Sequence, residues 1–198
     1  MRRLENRAKP IIIPLMHGQP LRLTPDEQRI VAAWAAMKAM VSEYDVEDEA
    51  HVTTHHTQRK RMMKFQLPPE GGWKIWIGHF QRNQWTTQWV SNPFLFFGAG
   101  KRQGVLGQPA TYYNSQVSTQ VIQQLFIQVL RSPMHRFVEK WRFSQPAADK
   151  LRVIWPPSPY SFVWPPPTMG DRAADYVAGA VIRTLDERAR RALGLTPQ

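Results

Sequence analysis

His51 and His55 stand four residues apart, and Glu47 precedes His51 by the same interval. On a helix the three would share a face, and a Glu/His/His row can hold zinc or another borderline divalent metal. The neighbours argue against it. A zinc-protease helix carries Glu directly after its first His, where this chain has Val52, and Thr53 and Thr54 are weak helix formers. A solvated polar segment is the simpler expectation, so no metal site is assigned and no cofactor is expected.

No other acid–base or nucleophile arrangement stands out. There is no Gly-x-Ser-x-Gly elbow and no Walker loop, and with no cysteine there is neither a thiolate nucleophile nor a Cys-type zinc site. Gly98-Ala-Gly100-Lys101-Arg102-Gln-Gly104 has the wrong spacing for a dinucleotide fingerprint. It could offer backbone N–H groups and two cations to a phosphate, but a mobile surface hairpin tip is the preferred reading.

Cations recur in blocks: Arg2, Arg3, Arg7 and Lys9; Arg59, Lys60, Arg61 and Lys64; Lys101 and Arg102; Arg131, Arg136, Lys140 and Arg142. Each adjoins apolar residues, as Phe137, Trp141 and Phe143 do in the last. Cations interleaved with aromatics grip single-stranded nucleic acid; the same pattern lets a charged segment lay its apolar side on a core. The net charge of +11 draws polyanions through counterion release. We take Arg59, Lys60, Arg61, Lys64, Lys101, Arg102, Arg136, Lys140 and Arg142 as candidate nucleic-acid-binding residues.

The elements that must carry these groups are unevenly signalled. Residues 1–23 read as an amphipathic start followed by an apolar stretch broken by Pro10, Pro14 and Pro20. Thr24, Pro25 and Glu27 form a capping box for a helix to about Tyr44, with Trp34 and Met37 in the core. An acidic run, Glu43 to Glu49, changes abruptly to the basic Arg59–Lys64 run, either as two faces of one helix or as two surface patches. Pro68-Pro69-Glu70-Gly71-Gly72 signals a turn or linker. Trp73 to Phe80 alternates as a strand, with Trp73, Ile75 and Ile77 opposite Lys74 and Trp76. Gln84 to Val90 reads as its hairpin partner, Phe94 to Phe97 as a third apolar piece, and Thr111 to Leu130 as a strand entering a helix near Ser118. The Pro-rich stretch between Trp155 and Pro167 is expected to wrap the core, anchored by Trp155 and Trp164. Asp171 opens a last helix to about Leu193.

With 198 residues, 42% hydrophobic content and 17 prolines, the chain fits one α+β domain: a small antiparallel sheet packed with helices and Pro-rich irregular segments. Residues 43–64 and 98–110 are expected as mobile insertions in it. No apolar run approaches the roughly 20 residues a membrane helix needs, and Ile11-Ile12-Ile13 is too short for a signal peptide. A cytoplasmic location with no membrane partner is the expectation.

Several strings resemble, in order, a bacterial and phage family of HNH-endonuclease-like proteins. They include Met1-Arg-Arg-Leu4-Glu5-Asn-Arg-Ala8-Lys9-Pro10, Leu23-Thr24-x-x-Glu27-Gln28, Ala33-Trp34-Ala35, Trp76-Ile77-Gly78, and Ile154-Trp155-Pro156 before Trp164-Pro165-Pro166. The resemblance covers nearly the whole chain but only the region that follows the family's Cys/His nuclease module. It implies that the knuckle cysteines and catalytic histidines lie upstream of Met1, so none is carried onto this chain. Either the product is short and serves another purpose, or its start lies further upstream. HNH chemistry needs a metal and a water-activating His, so nuclease activity is not expected of these residues. The expectation is a non-enzymatic nucleic-acid-binding module derived from such a protein. The alternatives are a phage- or plasmid-encoded, anti-CRISPR-like inhibitor or accessory factor binding a protein of a nucleic-acid-processing complex, and the non-catalytic half of a split nuclease.

Overall fold

Thr24 starts the helix the sequence signals best. Its hydroxyl accepts from the Glu27 amide at 3.3 Å and the Glu27 carboxylate accepts from the Thr24 amide at 2.8 Å, which satisfies two orphan donors at the helix start. In the computed structural model, which describes residues 2–44, 54–81, 88–97 and 112–192, this helix, α2, spans Pro25–Ser42. Met37 is buried as expected, while Trp34 is half-buried at the edge of the core.

Before it, α1 spans Arg2–Met16 with Pro10 and Pro14 inside, a correction to the expectation that prolines break this stretch. An internal proline costs a helix about 3 kcal/mol or more. Leu4, Ala8, Ile11, Ile12 and Leu15 nevertheless form one buried stripe packed on α2. Both prolines lie off that stripe, so tertiary burial overrides propensity.

The main sheet has the order β3-β4-β5-β2-β6, with every neighbouring pair antiparallel. Its strands are β2 (Trp73–His79), β3 (Gln88–Phe97), β4 (Tyr112–Ile122), β5 (Leu125–Arg131) and β6 (Leu151–Trp155). A second small sheet pairs β1 (Leu21–Leu23) with β7 (Phe162–Trp164). The fold is α+β.

Two sequence expectations need correction here. The strand after β2 is not its hairpin partner: β2 lies between β5 and β6, and among the described residues β3 pairs with β4 alone; residues 82–87 lie outside the described residues. The helix expected from Ser118 is instead a β-hairpin, β4 turning into β5 at Gln123 (φ 53°) and Gln124. Every residue of β5 is buried. A strand buried on both faces reads as a continuous apolar run, and such a run matches helical spacing by coincidence.

Helices cover both faces of the sheet. On one, Trp73, Ile75, Ile77, Ile127 and Val129 meet α1 and α2, with Met62 of α3 (His56–Phe65) at the margin. On the other, Trp76, Phe126 and Leu130 meet Val138 of α4 (His135–Lys140), Trp141 and Phe143, and Val177 and Val181 of α5 (Asp171–Ala192). Trp141 is buried and Phe137 half-buried, so this basic block docks on the core through its aromatics.

The Pro-rich stretch does wrap the core. Buried Gln28 of α2 holds it, donating to Tyr160 O at 2.9 Å and accepting from Ser158 N at 3.2 Å. Of the segments expected as insertions, the loop at 98–110 lies outside the described residues, as does 45–53 of the acidic-to-basic segment. Among the described residues no helix is long and apolar enough to cross a membrane.

Candidate nucleic-acid interface

The densest cationic block lies on α3. His55 caps its start, with Nδ1 accepting from the Thr57 amide at 3.4 Å, and Gln66 ends it in the left-handed region at φ 53°. The four cations divide by direction. Arg59 turns inward: its guanidinium pairs with the Glu43 carboxylate and donates to Met40 O at 2.7 Å and Thr54 O at 3.2 Å, with the Tyr44 ring beneath it. Glu43 also accepts from the Thr54 hydroxyl at 2.7 Å and its amide at 3.1 Å. Breaking a buried pair leaves an uncompensated charge and costs about 3–5 kcal/mol. Arg59 therefore holds α3 to α2, and we leave it out of the interface.

Nearby Arg131 ends β5, buried, with one guanidinium nitrogen 3.5 Å from Gln58 Oε1. Burial lowers its pKa from the ordinary guanidinium value, with Glu43 opposing and Arg59 reinforcing that shift.

Lys60, Arg61 and Lys64 are exposed. Arg61 pairs with Glu70 at 3.0 Å, and both Arg61 and Lys64 approach the ring of Phe65, which is 55% exposed. The chain then turns through Pro68 to Gly72 into β2. This is a packed turn rather than a linker, since both prolines are buried. Gly71 (φ 72°) and Gly72 (φ 67°) require glycine conformationally. A Cβ on Gly72 would also lie 2.3 Å from Ser132 O, and one on Gly71 would lie 2.8 Å from the His135 ring. The turn is thereby clamped against the start of α4.

At the other end of α4, two cations cap the helix. Lys74 of β2 donates through Nζ to Glu139 O at 3.1 Å and to Trp141 O at 2.9 Å. Arg142 Nη1 donates to the same two carbonyls. The carbonyl end of a helix carries partial negative charge, which favours such cations. Burial, and secondly the charge of Arg142, lower the Lys74 pKa to about 8, with Glu139 pulling the other way. Both carbonyls hold the amine, so Lys74 acts as a cap rather than a nucleophile.

These elements enclose a groove made of two adjoining hollows. The smaller, about 210 Å³, lies among Arg61, Phe65, Leu67 and Trp155. The larger, about 490 Å³, lies among Gly72, Lys74, Glu139, Arg142 and the Trp155–Pro157 stretch. Glu70 and Trp155 line both, so the hollows meet there. Arg61 and Arg142, from blocks far apart in sequence, thus flank one groove with a tryptophan between them.

Of the other sequence candidates, Lys60, Lys64, Arg136 and Lys140 are exposed on α3 and α4 but do not line the groove. Lys101 and Arg102 lie outside the described residues, as do Glu47 and His51 of the histidine row. Among the described residues no three His, Cys, Asp or Glu side chains are grouped to hold a metal. Sequence reasoning missed Glu70, Lys74 and Trp155 as groove residues. Only Lys74 left a signal, as a lone cation on a strand flanked by tryptophans.

Comparison with protein-family models, curated proteins and solved structures finds no match to this chain. The functional reading therefore rests on the site itself: cations and aromatic rings converge on a groove, with no nucleophile–base pair among the residues that line it.

Proposed function

We propose that this chain is a non-enzymatic nucleic-acid-binding module, derived from an HNH-endonuclease-like protein. One observation carries the reading: Arg61 lines one hollow and Arg142 the adjoining one, and Trp155 lines both. Cations around an aromatic surface match the chemistry of a nucleic-acid strand. The net charge of +11 adds a long-range attraction for polyanions. Catalysis is no part of the reading, because the residues lining the two hollows include no nucleophile–base pair.

The test is fluorescence anisotropy with a labelled oligonucleotide at two salt concentrations. Affinity should fall steeply with salt, by a log–log slope of about 0.7–0.9 per neutralised phosphate. A double variant, Arg61→Gln with Arg142→Gln, should bind more weakly at every sequence and with a shallower slope. Arg59 stays unchanged in that variant, since its loss would strand Glu43. Failure of micromolar protein to bind any DNA or RNA at low salt would overturn the proposal.

A second reading has its own observation. Met63, Phe65 and Leu67 are 62%, 55% and 39% exposed beside the groove, and exposed apolar side chains of this kind mark protein contacts. A protein of a nucleic-acid-processing complex is the partner that reading names, and a saturable complex with it in place of oligonucleotide binding would favour it.

A further inference from the structure

Resting on the nucleic-acid reading, we infer that the groove takes a single strand with a base laid in its middle, and not a duplex. Three features converge on this. The first is shape. Readers of duplex DNA insert a convex element, a helix or a ribbon, into the major groove; here the surface between the two arginines is concave, and a hollow of about 490 Å³ opens on it. A duplex would span the rim without entering.

The second feature is the lining. Phe65 is more than half exposed, Leu67 is 39% exposed, and Trp155 is half-buried with Pro156 exposed after it. Apolar rings facing solvent gain from covering a base face. In a duplex those faces are hidden by stacking, whereas an unpaired strand offers them.

The third is the pattern of charge. The groove carries Arg61, Lys74 and Arg142, but also Glu70 where the two hollows meet and Glu139 beside Arg142. A continuous row of duplex phosphates would meet these carboxylates and be repelled. A single strand can place one phosphate at Arg142 and another at the nitrogens of Arg61 that Glu70 does not hold, and turn a base edge to the second oxygen of Glu70. A carboxylate accepts from the exocyclic amino group of such a base.

The experiment compares a fluorescein-labelled oligodeoxycytidine with the same strand annealed to its complement. The single strand should bind roughly tenfold more tightly, the scale of one base stacked on one ring. Phe65→Ala should remove much of that preference while leaving the melting temperature unchanged, because its ring is exposed. Trp155→Leu should do the same, with its melt recorded alongside; if that variant does not fold, Phe65→Ala decides. Equal binding of both forms, or tighter binding of the duplex, overturns this inference. If such binding is lost in the Arg61/Arg142 double variant, the nucleic-acid reading survives. Single-strand binding indifferent to Phe65 and Trp155 also overturns the inference. Binding of neither form overturns both.

Discussion

Trp155-Pro156-Pro157 and Trp164-Pro165-Pro166 are the same tripeptide, and both Trp–Pro bonds are cis. Their surroundings differ. Trp164 ends β7, is 0% exposed, and sits edge-on to the His79 ring with centroids 6.0 Å apart, in the core shared by α1 and α2. Trp155 ends β6, an edge strand of the main sheet, is only partly buried, and lines the groove. The tripeptide is common to both places; the neighbouring elements decide whether its indole is an anchor or a working surface.

That contrast can be broken by experiment. Trp164→Ala should cost about 3–5 kcal/mol of stability, the figure for a fully buried large side chain, whereas Trp155→Ala should cost about half as much or less. Equal losses in urea melts would mean that both indoles are anchors. Gln28→Ala comes next, because Gln28 fastens the chain between the two tryptophans through Ser158 and Tyr160. It should cost about 1–3 kcal/mol, the penalty for stranding buried partners. A variant as stable as wild type would show that the tryptophans alone hold the stretch.

A further effect concerns pH and only the Trp155 side, where Lys74 lies. Its pKa is about 8 when folded against 10.5 ordinarily, so between those values the unfolded chain holds more protons. Stability therefore rises with pH across that window. Wild type should gain on a Lys74→Met variant between pH 8 and 10; parallel curves would remove Lys74 as the titrating group.

How much of this was legible in the sequence depends on how local each signal is. The capping box at Thr24 acts over one helical turn, and α2 follows it closely. The alternation of Trp73 to Ile77 is equally local, and β2 follows that. The pairing of β2 with β5 and β6 is set by burial on both faces, which no hairpin rule contains. The β4–β5 turn uses two glutamines, so neither glycine nor asparagine marked it. The site follows the same logic. Arg61 and Arg142 were visible as members of basic blocks, but their meeting across Trp155 depends on where β6 lies. Arg59 looks like its neighbours in sequence, and only the inward-facing Glu43 sets it apart.

The central position of β5 has a further consequence. All seven of its residues are buried, and it is paired on both sides, with β4 and with β2. Its amide protons can reach solvent deuterium only when the sheet itself comes apart, because local fraying never exposes a strand enclosed in this way. The slowest-exchanging amides of β5 thus act as an internal clock for global opening, readable in plain buffer without denaturant.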